Sequence, residues 1–336
     1  MGIKGSVLSW LSDFINGRKQ RGSVNGSLSS WRDVTSGVPQ GSVLGPVLFV
    51  AFINDLPKAL AKKCKLFADD SKLYGTVSTN MELEELQNDI NKCYKWSQKW
   101  QMEFHPKKCK VLHFGHNNQE HSYTIGGHNI APTNNEKDLG VTLSDTLDWS
   151  KHIHNCAMKA NRMVGIIKKT FSYMNKDMFL SLYKALIRPH MEYCPEIWNP
   201  HLVKHISTLE KVQRRATKLV PEYRDLPYEV RLEKLKLFPL TKRRLRGDMI
   251  TTYKIINGLL DVDKVVRVSP NISSKIETRS HNQQLLSNVP RTNMRKHFYT
   301  NRIILPWNTL SRETISSESV NIFKARYDKE RLGDFL

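Results

Sequence analysis

The chain has 336 residues, with 52 lysines and arginines against 32 acids and a formal net charge of +20. That length can bury a sizeable core in more than one domain, and that charge favours polyanionic partners through counterion release. No apolar run approaches the ~18 residues of a membrane span. The five cysteines form no CxxC pair, which argues against a zinc ribbon or a disulfide framework and suits reduced thiols in an intracellular protein, in the nucleus or the cytoplasm.

In chain order, Val7, Leu8, Leu11, Phe14 and Ile15 give a short helical pattern, and Arg21 to Trp31 alternates as a strand and hairpin. Ser36-Gly37-Val38-Pro39-Gln40-Gly41-Ser42 reads as a loop. Gly45-Pro46 opens a helix that runs through Phe49, Phe52 and Ile53 and stops before Pro57. Lys63 to Phe67 and Lys72 to Tyr74 read as strands around Asp69-Asp70. Thr79 and Glu82 form a capping box ahead of a helical stripe of Leu83, Leu86, Ile90, Cys93 and Trp100. Lys110 to Phe114 predicts a strand, His121 to Ile130 a hairpin turning at Gly126-Gly127, and Asp138 to Leu143 a further short strand. After about residue 150 helices take over, expected at 151–172, 176–190, 203–220, 228–236 and 240–258. Beyond 261 a Ser/Asn-rich linker around 269–290 precedes a small tail unit holding Phe298, Ile303, Ile304 and Trp307. Asn25-Gly26-Ser27 and Asn271-Ile272-Ser273 fit the glycosylation sequon, read as chance matches.

Two adjacent carboxylates, Asp69 and Asp70, at a strand–turn–strand are costly unless neutralised, and a divalent cation with oxygen ligands does so. An exposed turn, where Asp is common, is the plain alternative. Two-metal chemistry, with ions about 3.5–4 Å apart, needs carboxylates from different strands. The 36–42 loop lacks a Walker pattern. Its glycines allow close backbone approach and Gln40 offers a donor and an acceptor, although a simple loop leading into a helix satisfies the same residues. His152, His154 and Cys156 lie close in sequence, but no second ligand cluster completes a tetrahedral site.

Ser36 to Pro46, then Phe52-Ile53-Asn54-Asp55-Leu56-Pro57, then Phe67-Ala68-Asp69-Asp70, in that order and spacing, are very similar to the core of non-LTR retrotransposon reverse transcriptases. Arg18-Lys19-Gln20-Arg21, Phe104 to Gly115, Leu139-Gly140-Val141 with Leu147-Asp148-Trp149, Tyr183 to His190 and Glu210 to Ala216 extend the likeness over about residues 2–260. The resemblance implies an α+β fold. A right-hand polymerase palm, an antiparallel sheet with helices, would occupy 1–150, a helical thumb 151–260, and a tail of unassigned role 261–336. It implies RNA-directed DNA synthesis on an RNA template with a DNA primer and dNTPs, using Mg2+ or Mn2+.

By the same resemblance, Asp69 would be a metal ligand with Asp70 its partner. Ser36, Gly37, Pro39, Gln40 and Gly41 would contact template or nucleotide. Lys108 would lie near the leaving pyrophosphate as a general acid, and Leu139–Leu143 would be the primer grip. His105 stands where the family usually has Asn. The family's other catalytic Asp lies on a strand upstream of the Ser36 loop, and neither Asp13 nor Asp33 sits in such an extended apolar run. The expectation is therefore half a metal site and no polymerase activity from this chain by itself. A non-catalytic remnant that binds RNA or an RNA–DNA hybrid is the alternative. Lys211, Arg214, Arg215 and Lys218 share one helical face opposite Ile206, Leu209, Val212 and Ala216. They would hold nucleic-acid backbone or stand as a solvated charged face.

Overall fold

A computed structural model describes residues 2–115, 117–260, 262, 283–286 and 289–333. The sequon at Asn271 and most of the expected linker lie outside the described residues. The chain divides into two compact units, 1–134 and 135–336. The expected palm reached to residue 150. By packing, the hairpin after 134 lies in the second unit, because it packs on the long helix that follows it.

In the first unit, α1 (Ser6–Ile15) buries none of its side chains. It leads into a twisted ribbon: β1 (Lys19–Gln20) pairs with β4 (Arg32–Asp33), and β2 (Ser23–Val24) pairs with β3 (Ser27–Leu28). The ribbon turns at Asn25-Gly26, both with positive φ (47° and 84°), the conformation that a two-residue hairpin loop demands. Then come α2 (Leu44–Ile53), a 3-10 turn (Leu56–Ala59), and the hairpin β5 (Lys63–Phe67) with β6 (Asp70–Tyr74). The Thr79 capping box forms as expected: Thr79 Oγ1 accepts from Glu82 N at 3.3 Å and Glu82 accepts from Thr79 N at 3.1 Å. It opens α3 (Asn80–Lys99).

Two small cores flank α3. Ile53, Leu56, Cys93 and Trp96 gather Phe49, Phe52, Leu66 and Leu73, seating the β5–β6 hairpin on α2 and α3. Leu83, Tyr123, Ile125 and Ile130 gather Ile90, Tyr94, Cys109 and Val111. This second core holds β7 (Lys110–Val111), β8 (Thr124–Ile125), β9 (His128–Asn129) and β10 (Ala131–Pro132). Gly126 and Gly127 make the expected turn, with φ of 56° and 79°.

The single antiparallel sheet implied by the family is not what the described residues form. Their strands make six separate two-stranded ladders, and β7 with β10 is parallel. The antiparallel ladders are local hairpins or one interrupted ribbon, each closed by its own turn. The expected strand over 110–114 shortens to two residues for the same reason: only Lys110 and Val111 find partners, on Ala131 and Pro132.

The second unit begins with β11 (Asn135–Asp138) and β12 (Val141–Ser144), then α4 (Ser150–Thr170), α5 (Lys176–Leu182), α6 (Pro189–Glu192), α7 (Pro195–Trp198), α8 (Val203–Ala216), α9 (Tyr228–Leu235) and α10 (Leu240–Ile256). The continuous helix expected over 176–190 is interrupted. Pro189 has no N–H, and its ring crowds the carbonyl four residues back. The chain widens into a π turn at Tyr183–Ile187, where Arg188 N donates to Tyr183 O at 2.9 Å. The main core runs through α4, α5, α8 and α9, with Trp198, Tyr183, Leu209 and Ala160 fully buried.

Among the described residues the tail forms five helices: α11 (Asn293–His297), α12 (Tyr299–Arg302), α13 (Ile304–Asn308), α14 (Arg312–Ile315) and α15 (Val320–Arg331). Ile303 and Trp307 join Phe323, Tyr327, Met249 and Tyr253 in one core, so the tail packs directly on α10. The polar joint beneath it is a buried ion pair, with Arg302 Nη2 2.8 Å from Asp248 Oδ1 and Nε 2.9 Å from Oδ2. Among the described residues no helix is long and apolar enough to cross a membrane.

Candidate functional site

The β5–β6 hairpin has two unlike faces. Cys64, Leu66, Ser71 and Leu73 point inward, paired across the strands as Cys64–Leu73 and Leu66–Ser71. The other face is exposed. It pairs Lys63 with Tyr74, Lys65 with Lys72, and Phe67 with Asp70. Phe67 and Asp70 close the ladder, leaving Ala68 and Asp69 as a two-residue turn. Ala68 has φ +51°, a left-handed conformation that costs a side chain with a Cβ about 1 kcal/mol or more.

Sequence reading set Asp69 and Asp70 between two strands. Asp69 sits in the turn, and Asp70 starts β6 on the solvent face, so the second strand begins two residues earlier than expected. Both carboxylates are exposed at the strained tip of a hairpin whose back is packed on helices.

The Ser36–Ser42 loop is fixed from both ends. Gly37 and Gly41 have φ of 78° and 80°. Arg18 Nη2 donates to Gly37 O at 2.6 Å while its Nε donates to Ile15 O at 2.7 Å, tying the loop to the end of α1. Ser42 Oγ donates to Pro39 O at 2.7 Å and accepts from Gly45 N at 3.0 Å. A Cβ on Gly45 would lie 3.0 Å from Pro39 O, so the loop folds back against a buried glycine. Ser36, Gly37, Gln40 and Gly41 remain exposed, and Pro39 is half-buried. Arg18, noted in the sequence only as part of the family likeness, is what holds this loop.

Lys108 is exposed in a turn where its N–H donates to His105 O at 2.9 Å, one residue before Cys109 enters the core beneath β7. Among the described residues no group of three or more His, Cys, Asp or Glu side chains is placed to hold a metal ion. Asp33 pairs with Lys19 at 3.8 Å across the β1–β4 ribbon, and Asp13 is exposed on α1. The donor set that a divalent ion would meet here is Asp69 and Asp70 alone. Two adjacent carboxylates from one hairpin do not fit a two-metal site, which needs carboxylates from separate strands.

In the second unit, Leu139 and Gly140 are not strand residues. They form the turn between β11 and β12 with φ of 44° and 91°, and Tyr193 Oη donates to Leu139 O at 3.0 Å. The segment implied to be a primer grip thus begins at a pinned hairpin tip with an exposed leucine and continues along β12. Lys211, Arg214 and Arg215 on α8, and Lys218 in the 3-10 turn (Thr217–Leu219) that follows it, are all exposed. Arg215 Nη1 donates to Asn161 Oδ1 at 3.2 Å. Arg214 lies over the Tyr228 ring, 4.8 Å from its centroid.

Tyr228 is held from behind by a buried network. Gln213 Nε2 donates to Tyr228 Oη at 2.9 Å and to Phe238 O at 3.1 Å, Tyr228 Oη donates to Glu210 Oε1, and Glu210 Oε2 accepts from Leu240 N at 3.1 Å. Tyr183 Oη donates to Gln213 Oε1. Burial raises the Tyr183 and Tyr228 phenol pKa values, and the bond to Glu210 adds to the rise at Tyr228, so both are neutral donors.

His152 and Cys156 are core residues. His152 Nδ1 accepts from Thr142 N at 3.1 Å, and its Nε2 is 3.3 Å from Cys156 Sγ. Burial lowers the His152 pKa to about 4 and raises that of Cys156 to about 11. His154 is exposed.

Residues 1–143 match the family described as reverse transcriptase (RNA-dependent DNA polymerase). Those residues are similar to a reverse transcriptase domain. It is 25% identical over 245 residues to the RNA-directed DNA polymerase from mobile element jockey of Drosophila funebris, covering 67% of this chain and 27% of that protein. It is 23% identical over 303 residues to the Drosophila melanogaster jockey polymerase, covering 84% and 33%. It is 26% identical over 220 residues to the probable RNA-directed DNA polymerase from transposon X-element of Drosophila melanogaster, covering 62% and 24%. The family match and these likenesses are consistent with a reverse transcriptase of the jockey-like non-LTR retrotransposon kind. It spans about a quarter to a third of the length of these relatives. No solved structure matches it significantly.

Proposed function

We propose that this reverse transcriptase segment handles the RNA template, DNA primer and incoming dNTP of RNA-directed DNA synthesis, and supplies one strand's share of its metal ligands. The observation that carries the proposal is the Phe67–Asp70 hairpin. It sets two exposed carboxylates on a strained turn, backed by α2 and α3, within the segment that matches the family. Mg2+ or Mn2+, where bound, would stabilise charge on the transferring phosphoryl group. Asp69 and Asp70 are the ligands this chain offers, and a carboxylate from another strand must complete the cage. Gln40, with the exposed backbone of Gly37 and Gly41, contacts a base or nucleotide, Ser36 and Pro39 shape the loop, and Lys108 serves the leaving pyrophosphate as a proton donor. The 151–260 helices act as the thumb and hold duplex backbone through Lys211, Arg214, Arg215 and Lys218.

The described residues contain no third acid beside Asp69 and Asp70. The chain by itself is therefore expected to incorporate no nucleotide in a Mg2+ primer-extension assay. Template-dependent incorporation that disappears in Asp69→Ala would overturn that expectation. The second reading, a binding remnant without catalysis, rests on the exposed basic face of α8. Salt-sensitive, sequence-blind binding of an RNA–DNA hybrid, weakened in Lys211→Ala and Arg215→Ala, is common to both readings. Restoration of synthesis by a polypeptide supplying the missing Asp strand favours the enzyme over the remnant.

A further inference from the structure

Arg231 is a buried cation that forms no ion pair among the described residues. It lies on α9 at 2% exposure, and its Nε and Nη1 have no hydrogen-bond partner. Such a group is strongly destabilising unless something compensates it, because desolvation of a charge costs several kcal/mol. Burial and the nearby Arg214 pull its pKa below the ordinary arginine value, and it stays protonated all the same.

Its surroundings form an open cleft of about 560 Å³ between the end of α8 and the start of α9, which Arg231 lines together with Arg214, Lys218, Arg224, Tyr228 and the carboxylates Asp225 and Glu229. Four cations against two carboxylates leave a surplus of two positive charges in one recess. Arg214 and Arg231 are crowded on the same Tyr228 ring, 4.8 and 5.6 Å from its centroid. Two guanidinium ions on one ring repel each other, and an anion placed between them reverses the sign of that term. Tyr228 cannot swing away, because its hydroxyl is locked to Glu210 and Gln213.

We propose that this cleft is a phosphate pocket, in which the buried Arg231 with Arg214, Lys218 and Arg224 grips a single phosphoryl group of a nucleic-acid strand. A guanidinium fork with free N–H groups matches phosphate oxygens in pairs, which a solvated lysine face does not do. A strand fits better than a phosphorylated peptide because the basic face of α8 continues past the pocket through Lys211 and Arg215, giving a polyanion further charges to follow. The phosphoryl group is either a diester within the strand or a monoester at its end, and the surplus of two charges accommodates both.

The pocket stands on its own observations, while the strand as its source rests on the nucleic-acid reading above. The full chain and its Arg231→Met and Arg224→Ala variants are tested in two ways. Thermal unfolding is followed with inorganic phosphate against chloride at matched ionic strength. Binding of a labelled single strand, with or without a 5′-phosphate, is followed across a salt series. Phosphate raises the melting temperature of the unaltered chain and not of Arg231→Met. Arg231→Met melts no lower than the parent without phosphate, since it removes an unpaired buried charge. Each variant loses about one unit of the log-affinity against log-salt slope. Equal loss on both strands assigns a backbone diester, and loss confined to the phosphorylated strand assigns the end group.

Melting unaffected by phosphate, together with an unchanged slope in both variants, overturns the pocket even where the chain still binds nucleic acid. Phosphate stabilisation that depends on Arg231, in a chain that binds no strand, keeps the pocket and removes the strand as its source. A large fall in the melting temperature of Arg231→Met without phosphate, with Arg224→Ala indistinguishable from the parent, would make Arg231 structural and end the proposal.

Discussion

Replacing Gly126 by alanine tests how tightly the turn of β8 and β9 is wedged against α3. Gly126 and Gly127 both have positive φ, 56° and 79°, so alanine at either meets the left-handed penalty of about 1 kcal/mol. Loss of glycine's freedom in the unfolded chain offsets about 0.4–1 kcal/mol of that. At Gly127 nothing lies within 4 Å of the added Cβ, so the net cost stays under about 1 kcal/mol. At Gly126 the Cβ would lie 2.5 Å from Tyr94 Cε2 and 2.6 Å from Cζ. The ring or the hairpin must move, an overpacking cost of about 1–3 kcal/mol, which brings the total to roughly 1–4 kcal/mol.

The readout is hydrogen exchange, resolved by peptide over α3 and the 123–132 strands, because a whole-chain melt mixes two units. Protection there should drop far more in Gly126→Ala than in Gly127→Ala. Adding Tyr94→Leu should recover about 1–2 kcal/mol of the Gly126→Ala loss as a coupling energy. Equal effects at the two glycines, with no coupling to Tyr94, would refute the wedge. The same core seats Cys109 beside Lys108, so a loosened hairpin is also expected to blur the position of that lysine.

Tyr183→Phe leaves Gln213 Oε1 buried without the hydroxyl that donates to it, and is expected to cost about 1–3 kcal/mol in urea unfolding of the second unit. Asp248→Ala strands Arg302 beneath the tail and should cost about 3–5 kcal/mol, releasing the 293–331 helices to early proteolysis. His152 has its pKa lowered to about 4 from 6.5, so the folded state favours the neutral ring. Its contribution is fully present above about pH 6.5 and is lost as pH falls toward 4, by roughly 3 kcal/mol in all. Urea midpoints of the second unit should therefore decline between about pH 7 and pH 5, above the carboxylate range, and His152→Gln should flatten that slope.

Helices with a clean apolar stripe were legible in the sequence, and α3, α4, α8 and α10 fall within a few residues of their expected bounds. So were the turns whose residues advertise positive φ, Asn25-Gly26 and Gly126-Gly127. Leu139-Gly140 was not, because leucine gives no signal of a left-handed backbone, and it took the Tyr193 hydroxyl to reveal the bend. The π turn before Pro189 escaped because a proline in a helical pattern marks trouble without saying whether the chain breaks or widens.

Asp69 and Asp70 were found by motif and expected between two strands. That the ladder closes on Phe67 and Asp70, leaving Asp69 in the turn, depends on pairing register, which the local sequence does not carry. Arg231 was invisible: on an amphipathic helix an arginine reads as a solvent position, and only the cleft beside it shows otherwise. The tail helices escaped because most span four or five residues, too few for a period to register, and they acquire their shape from Trp307 and Phe323 packing on α10.

Glu210 reaches from α8 to the first amide of α10 with one oxygen and to the phenol of α9 with the other. Three helices thus meet on a single half-buried carboxylate, with the buried Gln213 fastening the same joint. Sliding any one of them past its neighbours would bare groups that have nowhere else to bond. When a polyanion pulls on the arginines of this region, α8, α9 and α10 must therefore yield together as one stiff block, so that strain applied at one end is delivered undiminished at the other.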